Sequence, residues 1–119
     1  MNEPKLRRID DGARLPVNGY LRAHILNERG MPSKALLPPR NTRPIGTGLE
    51  VNPASEDWLC LMIAPRILAL HSVFVVNTIL ASGHAGEVEV LLHNGGFETQ
   101  YISHGDMIAK IVPLSGEDA

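Results

Sequence analysis

Residues 73–112 read VFVVNTILASGHAGEVEVLLHNGGFETQYISHGDMIAKIV, and the spacing of apolar residues in them decides the fold. Apolar runs at Val73–Val76, Val88–Leu92 and Ile108–Val112 are separated by glycine-bearing turns. In Glu87-Val88-Glu89-Val90-Leu91 carboxylates alternate with valines, the pattern of a strand with one face in water and one in a core. Asn94-Gly95-Gly96 and His104-Gly105-Asp106 are expected turns, the first on the strength of glycine's freedom at positive φ. Short strands at this spacing predict an all-β, antiparallel sandwich or barrel.

Outward from this stretch, Tyr20–Leu26 (YLRAHIL) and Gly48–Asn52 are predicted strands. Trp58–Ile63 (WLCLMI) is predicted as a strand buried on both faces, because it is apolar throughout. Pro65 suits the first turn of a helix, so 66–71 are expected to make a turn and a half. Residues 32–44 (PSKALLPPRNTRP) carry four prolines, which fix φ and remove donors, and predict an extended loop outside any sheet. Arg40 and Arg43 on it are candidates for an anionic ligand or simply solvated charges. Residues 1–19 read as a polar, flexible N-terminal arm, either a solvated tail or a contact to a neighbouring subunit. Residues 20–114 form the β domain, and 115–119 a short polar tail.

Length and charge narrow the function classes. A chain of 119 residues supports one core. No apolar run is long enough to span a bilayer, and the N-terminus lacks the core of a signal peptide. Cys60 is the single cysteine, inside an apolar strand, so neither an internal disulfide nor a CxxC zinc site exists. A cytoplasmic protein is expected. A net charge of −2 and 4% aromatic residues give no strong nucleic-acid signal.

Four segments, in order, resemble the motifs of trimeric dUTPases and the related dCTP deaminases. Thr47-Gly48-Leu49-Glu50-Val51 is similar to the first motif (A-G-x-D-L), and Ala64-Pro65-Arg66 with Leu68-Ala69 to the second (A-P-R-S-S-L-A). Gly86-Glu87-Val88 through Leu92-His93-Asn94 resembles the third, a G-E-I turn and a strand ending in asparagine. The segment 102–112 (ISHGDMIAKIV) resembles the fourth, I-x-x-G-D-R-I-A-Q-L-V. The resemblance covers roughly residues 34–112 and implies a dUTPase-like β-clip, a distorted jelly-roll barrel, in a homotrimer whose pockets lie between subunits. Alternation of Val88, Val90 and Leu92 with Glu87, Leu91 and His93 leaves apolar area on both faces, as a trimer would.

The resembled enzymes split dUTP into dUMP and pyrophosphate, which takes a water-orienting carboxylate, a cationic clamp on the triphosphate and a uracil pocket. The resemblance implies a nucleoside pocket at Asn77, Ala81, His84 and Gly86, with Ala81 at the aspartate position and His84 at the tyrosine that stacks on deoxyribose. No aspartate occurs between Asp57 and Asp106, so the water-orienting group is missing. Arg66 and Lys110 match phosphate-binding positions, while Ile67 and Met107 replace a serine and an arginine. Glu50 replaces the first-motif aspartate. A glycine-rich fifth motif that closes over the nucleotide has no counterpart in the seven residues after Val112. The deaminase glutamate position is Leu91, and Glu89 stands about 6–7 Å away along the strand.

His84 and Glu50 are therefore the catalytic candidates, with no second group to complete a dyad around His84. His71, His93 and His104 are too dispersed in sequence to suggest a metal site, and no metal site of the protein's own is expected. Mg2+ is implied only as the companion of a nucleoside triphosphate. The expected function is a dUTPase-like protein with impaired hydrolysis that acts by deoxynucleotide binding, regulation, inhibition or as a trimeric module of phage or viral origin. The alternative is a working dUTP pyrophosphatase that uses Glu50, Arg66, Lys110 and His84.

Overall fold

The alternation at Glu87 builds β8 (Glu87–Asn94), in which Val88, Val90, Leu92 and Asn94 are buried while Glu87 and Glu89 face water. The computed structural model describes residues 5–114. Along the chain its strands are β1 (Leu6–Arg8), β2 (Tyr20–Arg22), β3 (Lys34–Leu37), β4 (Thr42–Val51) and β5 (Leu59–Ile63). The short helix α1 (Arg66–Ala69) precedes β6 (Val73–Val75), β7 (Ile79–Ala81), then β8, β9 (Gln100–Ser103) and β10 (Met107–Pro113). The polar tail expected at 115–119 and the first four residues lie outside the described part.

One sheet has the order β1-β4-β8-β6, a second β2-β10-β5-β7, and β3 with β9 forms a two-stranded ribbon. All pairings are antiparallel. The expected all-β architecture is present, with the sheets left open and not closed into a barrel. All three layers supply the core: Leu49 and Leu92 from the first sheet, Leu21, Met62 and Ile108 from the second, Leu37 and Ile102 from the ribbon. Each such side chain contributes about 1.5–3 kcal/mol of burial. No described helix is long and apolar enough to cross a membrane.

Several local expectations change for physical reasons. The proline-rich segment is not a loop: it holds β3 and the start of β4. Pro44 sits within β4 opposite Leu91 of β8, at a point where β1 does not reach, so its missing N–H faces an unpaired edge. β5 is not buried on both faces but alternates, with Leu59 and Ile63 exposed and Cys60 and Met62 in the core. The Asn94–Gly96 turn needs no positive φ. A Cβ at Gly95 would lie 2.9 Å from the Phe74 ring, which would have to shift to admit it. Gly105 does take positive φ, at 89°. Within residues 1–19, Leu6–Arg8 pair with the end of β4, and Leu6 and Ala13 lie in the core.

The β4–β8 seam carries the main irregularity. Four steps along β4, from Gly46 to Glu50, face two along β8, from Glu89 to Glu87, so β4 bulges by two residues. Gly48 takes φ +69° at the crest, where a Cβ would meet the Ala13 Cβ at 2.6 Å. The buried Thr47 hydroxyl donates to the Val88 carbonyl at 2.7 Å and accepts the Leu49 N–H at 3.2 Å.

Candidate functional site

Thr47-Gly48-Leu49-Glu50-Val51, the first-motif segment, is this bulge, and it brings Glu50 opposite Glu87. Two carboxylates facing each other across strands repel unless each has a partner. Glu50 accepts from Arg7 Nε at 2.7 Å, its cross-strand neighbour on the other side. Glu87 accepts the Gly48 N–H at 2.9 Å and fills the space above Gly46. Both acids are thus committed within the sheet, the first through an arginine that no motif pointed to.

Asn77, Ala81, His84 and Gly86 lie on the segment that leads from β6 through β7 into β8. Asn77 binds β8 with both ends of its amide: Nδ2 donates to the Glu89 carbonyl and Oδ1 accepts the Leu91 N–H, each at 2.8 Å. The side chain therefore extends the β6–β8 ladder by one rung. Ala81 is half-buried in β7 opposite Leu59 of β5. His84 is exposed, its Nε2 3.3 Å from the Glu87 carbonyl. Gly83 and Gly86 take φ of +92° and +82° in open space. This hairpin brings no carboxylate of its own, since Glu87 is held by Gly48.

The two candidate phosphate ligands are both exposed. Arg66 opens α1 directly after Pro65, and Lys110 pairs with Ile63 of β5, three residues earlier in the chain. The fold thus places both cations at the same end of β5. The Lys110 ammonium stands 5.7 Å from the Tyr20 ring, a cation–π distance.

Two further histidines have side-chain partners. His93 Nδ1 is 2.8 Å from the Thr42 hydroxyl, and His104 Nδ1 accepts the Ile25 N–H at 3.1 Å. Among the described residues no three His, Cys, Asp or Glu side chains gather around a common point. One pair had no signal in the sequence: His24 Nε2 lies 2.9 Å from Asp10 Oδ2, and the His24 ring is 5.3 Å from that of His104. The hydrogen bond from His24, and after it the Gly12 N–H, holds the Asp10 carboxyl below the usual carboxylate range.

Three cavities, of 360, 450 and 250 Å3, open elsewhere on the described surface, and Glu50, Arg66, Asn77, His84 and Lys110 line none of them.

No protein-family profile matches the sequence. Solved structures do match the backbone. The dUTPase of phage phi11 of S. aureus, in a mutant form described for its coordination of a structural Mg(II) ion, superposes with TM-score 0.72 at 15% identity, over 92% of this chain and 88% of that one. The EIAV dUTPase gives 0.67 at 14% identity, over 96% and 89%. The dUTPase of Staphylococcus bacteriophage 80alpha, described as controlling transfer of virulence genes by a G protein-like mechanism, gives 0.72 at 12%, over 92% and 87%. Matches that span nearly the whole of both chains at such identities carry the backbone and not the chemistry. The chain is a divergent protein of the dUTPase fold.

Proposed function

We propose that this protein binds a deoxynucleoside triphosphate without efficiently splitting it, and works in the cytoplasm through binding or assembly as a homotrimer. One observation carries the reading: the segment from Asn77 to Gly86 offers no carboxylate to orient a water, and its one side-chain amide is spent on β8. Of the neighbouring acids, Glu87 is held by the Gly48 N–H and Glu50 by the exposed Arg7. Arg66 and Lys110 keep the charge that attracts phosphate oxygens. Mg2+ enters this reading as the companion of the triphosphate, part of the ligand.

A regulatory role draws support from the fold neighbour described as controlling transfer of virulence genes by a G protein-like mechanism. The competing reading, a working dUTP pyrophosphatase, uses Glu50, Arg66, Lys110 and His84. It requires Glu50 to leave Arg7, an exposed pair worth about 0–1 kcal/mol, so the step is energetically small.

Pyrophosphate release from dUTP with Mg2+ at micromolar protein separates the two. The expected result is no turnover, together with calorimetric binding of a non-hydrolysable dUTP analogue that Arg66→Ala weakens about tenfold or more. Turnover that disappears in Arg66→Ala overturns the proposal in favour of the enzyme. No heat with dUTP, dUMP or dCTP at millimolar ligand overturns it in favour of a module without nucleotide.

A further inference from the structure

One of the three cavities lies apart from the nucleotide residues and beside the N-terminal segment. It measures 360 Å3 and lies between the 5–19 segment and the second sheet. Its walls are apolar: Leu15, Trp58, Cys60, Leu80 and Ile111 contribute, and Lys5 is the one charged residue that lines it. The Trp58 indole N–H donates to the Ser55 hydroxyl at 3.0 Å, so its polar edge is already satisfied and its ring is free to act as wall. Among the described residues no buried side-chain polar atom lacks a partner, so the walls ask nothing of an occupant beyond apolar contact. Lys5 forms no ion pair among the described residues.

Size and chemistry together describe the occupant. A volume of 360 Å3 equals roughly twelve liquid waters at about 30 Å3 each, room for a body of roughly ten heavy atoms. Ligand sites are commonly of about this size, apolar, with few orienting polar groups. The geometry points to a binding site for a small amphiphilic carboxylate, its aliphatic body between Trp58, Leu80 and Ile111 and its acid at Lys5. This shares no residue with the nucleotide reading, so either stands if the other fails.

Trp58 is the only tryptophan in the chain, which makes its emission a direct report of the site. Titration with sodium octanoate is expected to give a saturable emission change with half-saturation on the order of 0.1–1 mM, as for a ligand of ten heavy atoms. Octanol, which has the same body without charge, is expected to bind about two- to fivefold more weakly, and Lys5→Ala to bring octanoate to the level of octanol. Leu15→Phe, at a position 38% exposed, narrows the mouth without disturbing the core and weakens both ligands. Cys60→Leu fills the floor and abolishes binding, and should it fail to fold, the Leu15→Phe result decides alone. No saturable change in the folded wild-type protein, or one that Lys5→Ala and Leu15→Phe both leave intact, overturns the assignment. So does a Trp58 emission that shifts with protein concentration in the absence of octanoate, which gives the cavity to a second copy of the chain.

Discussion

The two ends of β8 are treated in opposite ways. At its C-terminal end Asn94 is fully buried, donating through Nδ2 to the carbonyls of Leu37 and Glu98 and accepting the Gly96 N–H. One side chain thereby ties the first sheet to β3 of the ribbon and to the loop that leads into β9. At the N-terminal end β8 emerges from a hairpin whose Gly83 and Gly86 face open space and whose His84 is exposed. The fold resides in the first end. The chemistry that the resembled enzymes require would reside in the second, where residues 77–86 carry no carboxylate.

The largest expected effect tests the first end. Asn94→Ala strands the buried Leu37 carbonyl and leaves the part-buried Glu98 carbonyl and Gly96 N–H without their partner, and is expected to cost about 2–4 kcal/mol in denaturant unfolding. Asn94→Asp is expected to cost at least as much, since it keeps the acceptor for Gly96 but turns a carboxylate oxygen on two carbonyls. An aspartate that restores stability would show that shape, and not the amide donor, holds the ribbon.

A pair of alanines sharpens the comparison. Gly48 and Gly83 both sit at positive φ, of +69° and +92°, so both substitutions strain the backbone by about 1–2 kcal/mol. They differ in surroundings. At Gly48 the new Cβ would stand 2.6 Å from Ala13 and 2.9 Å from the His24 ring, whereas at Gly83 nothing lies within 4 Å. Gly48→Ala is therefore expected to cost about 2–4 kcal/mol and Gly83→Ala about 1 kcal/mol, both read from denaturation midpoints. Equal costs would mean that the hairpin is as tightly determined as the bulge.

Sequence and structure part company along the same line. The Glu-Val alternation of β8 is legible because eight residues carry a period of two. β7 and β9, of three and four residues, are too short for a period to show, and β4 is hidden by a proline whose position on an unpaired edge only the pairing reveals. Asn94 reads as a turn residue, since a buried amide's partners come from residues 57 positions away as well as from nearby. The candidate residues Glu50, Arg66 and Lys110 are legible by motif, but what holds Glu50 is not. Its arginine stands 43 residues earlier, in a segment that composition alone sets apart from the domain.

The smallest expected effect lies where that N-terminal segment meets the bulge. Ile9 and Asp10 N–H groups both point to the Gly48 carbonyl, and Asp10 then accepts from His24 and from the Gly12 N–H. Because the folded-state pKa of Asp10 is lowered by these bonds, its contribution to stability is present above the unfolded-state value of about 3.9 and is lost as pH falls through the lowered folded value. Asp10 is exposed, so solvent screens the pair and only a slight acid-side slope in melting temperature is expected. Asp10→Asn is expected to flatten that slope while leaving stability at neutral pH almost unchanged, because the side-chain oxygen still accepts from Gly12. A steep loss of stability at neutral pH in Asp10→Asn would instead make the Asp10–His24 contact a keystone of the same rank as Asn94. The segment before β2 would then belong to the part of the molecule that specifies the fold.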